Sequence, residues 1–283
     1  MKVVTEYPDA TTAASPARLP GTARVGMSRA HLELQIFFRQ MDGVVFTFAM
    51  PVLLLVIFGA IFNGTIQGTG VSYRQYFIAG IIASGIMSTT FTTLGITVAV
   101  DRDDGTLKRL AGTPMPHGAY FVGKTLCAIV LSAVETVIML AIGCGFYGLR
   151  LPATASRWVT LGWVFLLSTV TCTLLGIAVS SIPRSSRSAA GVVSVPYLAL
   201  QFISGVYFPF TSLPRGIQQI AALFPLKWMC QGLRSVFLPD ALLPAEPAHS
   251  WQHGLVALVL VAWAVAALVL CLKTFRWTSR ADG

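Results

Sequence analysis

The sequence predicts an all-α polytopic membrane protein, and three observations carry that prediction. Of 283 residues, 55% are hydrophobic and only 11% are charged, with a mean hydropathy of +0.72. One aqueous core could not hide that much apolar surface, which argues against a soluble enzyme. The low charge excludes a disordered chain. The apolar residues also fall in six runs, each near the roughly 20 residues needed to cross a ~30 Å hydrocarbon core.

The expected spans are residues 44–62, 76–100, 121–147, 158–182, 189–208 and 254–272. Residues 1–27 are polar and rich in Pro, Ala and Thr. Without a short apolar core and cleavage site they do not form a cleaved signal peptide, and they read as a flexible cytoplasmic tail. Residues 28–283 read as a single transmembrane domain. Its first element, residues 28–42, places Leu32, Ile36 and Phe37 near one helical face and Arg29, Glu33 and Gln40 elsewhere. That pattern predicts an amphipathic helix lying in the interface before the first span. Between the last two spans, Pro209–His253 is apolar but broken by prolines. It predicts two short re-entrant helices, one capped by Ser212 and running to Phe224, the other from Leu226 to Leu238.

Lys and Arg in the connections set the orientation. With six spans both ends share one side, and that side collects 14 basic residues against 6 on the other. Both termini are therefore expected in the cytoplasm. The net charge of +9 and pI near 9.7 have the same origin, because no dense basic–aromatic patch suggests nucleic acid. The five cysteines are odd in number and lack metal-ligand spacing, so neither a disulfide framework nor a metal site is expected.

Two motif matches carry no chemistry. Gly118–Thr125 fits the phosphate-loop string, but Thr113-Pro-Met-Pro-His117 before it cannot be a central strand and a span follows it. Lys124 there is expected to snorkel to the cytoplasmic interface. Gly143–Gly148 fits the dinucleotide string without a βαβ unit, and reads as helix packing or termination.

Two places do point to function. Glu135 is the one acidic residue deep in a span, and such a carboxylate is costly enough to mark a functional site. It either lines a translocation path or is hydrogen-bonded to Ser168, Thr169 or Thr171. The second connection runs Asp101-Arg-Asp-Asp104-Gly105-Thr106-Leu107-Lys108-Arg109-Leu110 and ends before Pro114. Acidic residues before a short helix suit its N-terminus, and Leu107 with Leu110 form an exposed apolar pair beside two cations. Such a helix predicts a docking surface for a soluble partner.

The second connection resembles the acidic-x-x-x-Gly-Thr-Leu segment of type-2 ATP-binding-cassette (ABC) exporter permeases of the drug-resistance, daunorubicin-exporter-like kind. The region Ser204-Gly-Val-Tyr-Phe-Pro209, Leu213-Pro214-x-x-Ile217-Gln-x-Ile220, Phe224-Pro225-Leu226 and Gly232-Leu233-Arg234 is similar to the same family's pattern. One departure is that Asp101 and Asp104 stand where the family often has glutamates. The resemblance implies no catalytic residue, metal or cofactor on this chain, with ATP and Mg2+ held by a separate cytoplasmic ABC ATPase present in two copies. It implies a homodimer, or a heterodimer with a second permease, in the cell membrane, the inner membrane of a bacterium. The coupling contact would comprise Asp101, Asp104, Gly105, Thr106, Leu107, Arg109 and Leu110, with Arg184 and Arg187 as a smaller second contact. The activity implied is export of a hydrophobic or amphipathic compound such as a drug, antibiotic or lipid. A proton-coupled secondary transporter using Glu135 is the alternative.

Overall fold

The computed structural model describes residues 21–62, 64–66, 69–246 and 248–275. Residues 1–20, most of the expected tail, lie outside them. Among the described residues the fold is helical without a β-strand. The order is α1 (Thr22–Arg39), α2 (Met41–Ile61), α3 (Tyr73–Met87), a π-helical turn (Ser88–Thr93), α4 (Leu94–Asp103), α5 (Thr106–Ala111) and α6 (His117–Tyr147). It continues with α7 (Ala155–Val179), α8 (Ser186–Ile203), α9 (Arg215–Ala222), α10 (Pro225–Phe237) and α11 (His253–Thr274).

Among the described residues, five segments are long and apolar enough to cross a bilayer: α2, α3 through α4, α6, α7 and α11. The expected fifth span is α8, which has 18 residues, includes Arg187 and Gln201, and is not among those five. It stops at Ile203 instead of Phe208, because Gly205 at φ 75 turns the chain. α2 and α11 keep large side chains outward, with Phe46 at 75% and Leu272 at 77% exposure. Apolar surface of this kind is stable facing lipid, and every backbone group inside a helix is already paired.

The segment α3–α4 is the centre of the bundle. Every residue from Tyr76 to Met87 is buried. The π turn follows in the run Ser-Thr-Thr-Phe-Thr-Thr, whose Thr90 hydroxyl bonds back to the Ile86 carbonyl. α7 crosses this turn closely. A Cβ on Gly176 would sit 2.7 Å from the Phe91 carbonyl oxygen, so the helices approach here only because that side chain is missing.

Two further expectations need correction. α1 begins at Thr22 rather than at residue 28, because Gly26 and Ala30 are buried on this helix and extend its packing against α6. A Cβ at Gly26 would meet Val122 at 2.6 Å. Leu32 and Ile36, each 44% exposed, form the outward apolar face. The first short helix starts at Arg215, not near Ser212, since Ser212 closes a separate turn, Phe210–Ser212. Gly118–Thr125 lies within α6, in line with the expectation that this string forms no phosphate-binding loop.

α10 begins with Pro225 in its first turn and buries all thirteen residues. Arg234 stacks 3.7 Å from the centre of the Tyr76 ring and donates to the Gly205 carbonyl. Tyr76 Oη in turn accepts the Phe210 N–H at 3.2 Å. Lys227 lies 3.5 Å from the Trp228 ring centre and donates to Gln231. These contacts pair most of the polar groups on a short helix buried against protein, where an unpaired group is costly.

Gly176→Ala should lower the melting temperature of the detergent-purified chain, by an amount corresponding to about 1–3 kcal/mol of overpacking. Gly162→Ala on the same helix, with open space around its Cβ, should not lower it and should raise it slightly through helix propensity.

Candidate functional site

α4 ends at Asp103, and Gly105 takes φ 74, the left-handed backbone that glycine adopts without a Cβ penalty. The chain thus turns abruptly into α5. Leu107 is fully buried in a cluster with Leu94, Val98, Tyr120, Ala128 and Ile177, and Leu110 leans on the same cluster. The expected exposed leucine pair is therefore wrong. Leu107 cannot contact a partner, because it is the apolar peg fastening α5 to the bundle. The outward face is charged: Asp103, Asp104, Lys108 and Arg109 are exposed, and Arg109 donates to the Asp104 carbonyl at 3.2 Å. Thr106 is half-buried.

Two neighbouring residues tie this turn to the α7–α8 connection. The Arg102 guanidinium, buried, donates to the carbonyls of Ser180 and Pro183, the latter at 3.4 Å. Asp103 Oδ2 accepts the Ser186 N–H at 2.8 Å, in the first turn of α8. A carboxylate there satisfies an unpaired helical N–H and complements the helix dipole. Arg184 and Arg187 are exposed on this connection. The structure thus links the two segments expected to form the coupling contact. The sequence reading had placed neither Arg102 nor Asp103 in that contact. The run Asp-Arg-Asp-Asp was its signal, but which side chains turn inward depends on α7 and α8.

Asp101 turns inward too. Lys124, 1% exposed, lies 3.0 Å from Asp101 Oδ2 and 2.9 Å from Glu33 Oε2. Glu33 is also paired with Arg29 at 2.7 Å. The expected snorkelling of Lys124 is thus overturned. α1 packs over its position, and the two carboxylates supply in the interior what water would have supplied at the surface. This network joins α1, α4 and α6, one turn of helix from the α5 peg. It places Asp101 in the bundle rather than on the outward face.

Glu135 is 1% exposed on α6. Its Oε2 accepts a hydrogen bond from Thr89 in the π turn, not from Ser168, Thr169 or Thr171. Its Oε1 has no partner among the described residues. A Cβ on Gly85 would be 2.7 Å from that oxygen, so α3 lies directly against the carboxylate.

A second polar cluster lies across α3. Gln201 donates to the Ser84 hydroxyl and to Tyr197 Oη, Tyr197 donates to the Ser84 carbonyl at 3.1 Å, and Tyr207 donates to Gln201 Oε1 at 2.7 Å. These four residues help to line a cavity of about 260 Å3 between α2, α3 and α8, with Ser88, Thr92 and Ser194 adding hydroxyls. The sequence reading missed it. Its available signal was Gln201 inside an apolar run, together with Ser84, Ser88 and Thr92 spaced four apart.

Sequence comparison agrees with this geometry. A profile described as ABC-2 type transporter matches residues 30–238, from α1 to just past α10. The chain belongs to the ABC-2 type transporter family. It is 27% identical over 193 residues to the putative transport permease ycf38 of Porphyra purpurea, covering 66% of this chain and 65% of that one. It is 25% identical over 175 residues to the probable multidrug ABC transporter permease YbhR of Escherichia coli, covering 60% of this chain and 46% of that one. The inner membrane transport permease YadH of Escherichia coli is 21% identical over 230 residues, with 80% of this chain and 85% of that one covered. The chain thus spans less than two thirds of the first two relatives' length. The ABC-2 membership and the five membrane-length helices make this a multi-pass membrane protein.

Lys124→Met removes the cation that Glu33 and Asp101 share, leaving Arg29 on Glu33 and no paired cation on Asp101, and should destabilise the chain by on the order of 3 kcal/mol. The triple change Lys124→Met, Glu33→Gln and Asp101→Asn should recover most of that loss. Thermal melting in detergent of all three forms checks both outcomes.

Proposed function

We propose that this chain is the membrane subunit of an ATP-driven exporter, working with a separate cytoplasmic ABC ATPase. The observation that supports it best is the charged foot built from α5 and the α7–α8 connection. Lys108, Arg109, Asp104, Arg184 and Arg187 face outward there, while Leu107, Arg102 and Asp103 fix the foot to α4, α7 and α8. A push on a foot so attached moves whole helices instead of bending a loop. In this reading the foot and both chain ends are cytoplasmic, as the excess of basic residues on that side suggests. α8 is the sixth crossing, and α9 with α10 dips into the outer leaflet.

Two such chains, identical or not, would pair with two ATPase subunits. ATP closes the ATPase pair, the feet follow, and the bundles exchange an inward-open for an outward-open arrangement. Coupling requires that the ATPase contact the two arrangements differently. The path for cargo is the cavity between α2, α3 and α8. Ser84, Tyr197, Gln201 and Tyr207 offer hydrogen bonds there against the apolar walls of Met50, Leu54, Ile81 and Leu198. Such a lining suits an amphipathic molecule, and the name of YbhR, a probable multidrug permease, fits that class. Glu135 lies behind the π turn from this cavity and borders none of its surface.

The unpartnered Glu135 oxygen is the one observation favouring proton coupling as a second reading. The two readings separate in reconstituted vesicles. Glu135→Gln should retain ATP-dependent export without a pH gradient if ATP is the energy source. Loss of gradient-driven transport in that variant, with no need for ATP, would instead support the proton reading.

Lys108→Glu combined with Arg109→Glu should reduce ATP-dependent export at least tenfold, while the exposed position of both residues leaves membrane insertion and melting temperature unchanged. Normal export by this variant, with the ATPase still co-purifying, would overturn the docking assignment.

A further inference from the structure

A larger cavity lies away from both polar clusters, between α7 and α11. It has a volume of about 750 Å3. Arg102, Arg184 and Lys273 sit at one end, with Ser181 and Thr274 beside them. Leu175, Val179 and Leu270 form the walls, and Trp263 stands at the other end. Among the described residues no Asp or Glu lines it. The Ser181 hydroxyl is buried and has no partner among the described residues.

The two helix ends at the basic rim would ordinarily repel an anion through their free carbonyls. Arg102 removes part of that obstacle by covering the carbonyls of Ser180 and Pro183. Arg184 and Lys273 then remain exposed at the mouth. The depth of the groove identifies the occupant. Trp263 and Lys273 are ten residues apart on α11, which is about 15 Å along a helix. That is half of a ~30 Å hydrocarbon core, the depth of one leaflet. At the inner end the Trp263 indole donates to the Leu223 carbonyl at 2.7 Å and closes the groove against the segment after α9. Both walls belong to membrane-length helices, and Leu270 is 47% exposed, so the groove opens sideways to the acyl chains.

We infer that this groove binds one anionic phospholipid, with its phosphate at Arg184, Lys273 and the Ser181 hydroxyl and an acyl chain along Leu175, Val179 and Leu270 toward Trp263. A zwitterionic lipid would bring its own cation to a rim that already holds three. A soluble phosphate would leave the apolar walls uncovered. The site shares Arg184 with the proposed foot, but lipid retention needs no ATPase, because it asks only for a bilayer and a negative headgroup. Basic pockets between membrane helices recognise lipid headgroups in this way, each cation contributing roughly a factor of five in binding.

Native mass spectrometry of the delipidated full chain, titrated with phosphatidylglycerol or phosphatidylcholine of matched chains, tests the site. One phosphatidylglycerol per chain should be retained and phosphatidylcholine should not. Arg184→Ala with Lys273→Ala should weaken retention about thirtyfold, while Arg150→Ala, exposed and outside this cavity, should not change it. Val179→Trp should displace the lipid by filling the groove; if that variant fails to fold, Leu270→Trp at the mouth serves the same purpose. Glycerol 3-phosphate should not compete. Equal retention of the two lipids, unchanged retention in the double variant, or displacement by glycerol 3-phosphate would each overturn the inference.

Discussion

A helix of six residues is not stable in water, because nucleating a helical turn costs more than so few hydrogen bonds return. α5 exists because Leu107 is buried among side chains of α4, α6 and α7 and because Gly105 lets the chain reverse sharply into it. That single peg decides what the rest of this end of the bundle can do. With Leu107 inward, the charges around it are forced outward on a surface of fixed shape. With Arg102 and Asp103 bonded to the α7–α8 connection, two loops distant in sequence become one rigid feature. A docking surface that transmits force needs this stiffness, and the burial of one leucine provides it.

The polar interior follows a related rule. Lipid offers no water, so each polar group inside the bundle has a protein partner or is costly. Lys124 is held between two carboxylates, Arg234 between a tyrosine ring and a carbonyl, and Gln201 among three hydroxyl-bearing residues. These arrangements divide between the two ends and the middle of the bundle. The Lys124 network braces α1 and α6 near the foot, and the Arg234 contacts brace the half-length helices at the far end. Between them lie the π turn and its hydroxyls. A π turn widens the helix by one residue, and here Thr89 faces Glu135 while Ser88 and Thr92 face the cavity.

Much of this architecture was legible because membrane solvation leaves a coarse signal. A run such as Gly254–Leu272 has only one cheap environment, and α11 follows it within a few residues. The two short helices were legible from Pro214 and Pro225. The sidedness of individual polar residues was not. Lys124 read as a surface cation and Leu107 as an exposed apolar side chain because both judgements rest on neighbours along the chain: α1 covers the first, and α4, α6 and α7 cover the second. Glu135 was recognisable as unusual, but its partner Thr89 was not, since the π turn rotates that hydroxyl off the regular helical period. Gly26 and Ala30 likewise hid the early start of α1, because small residues in a polar stretch look like linker until the helix they pack against is known.

The claim on which the functional account rests is that the α5 foot faces the cytoplasm and is covered by an ATPase subunit. The most direct measurement is the reactivity of Lys108→Cys toward a membrane-impermeant maleimide, with Cys144, the least buried native cysteine, replaced by alanine. The account predicts labelling in inverted membrane vesicles, none in right-side-out ones, and protection when the ATPase subunit is bound. Labelling from the outer face of sealed right-side-out vesicles would contradict it.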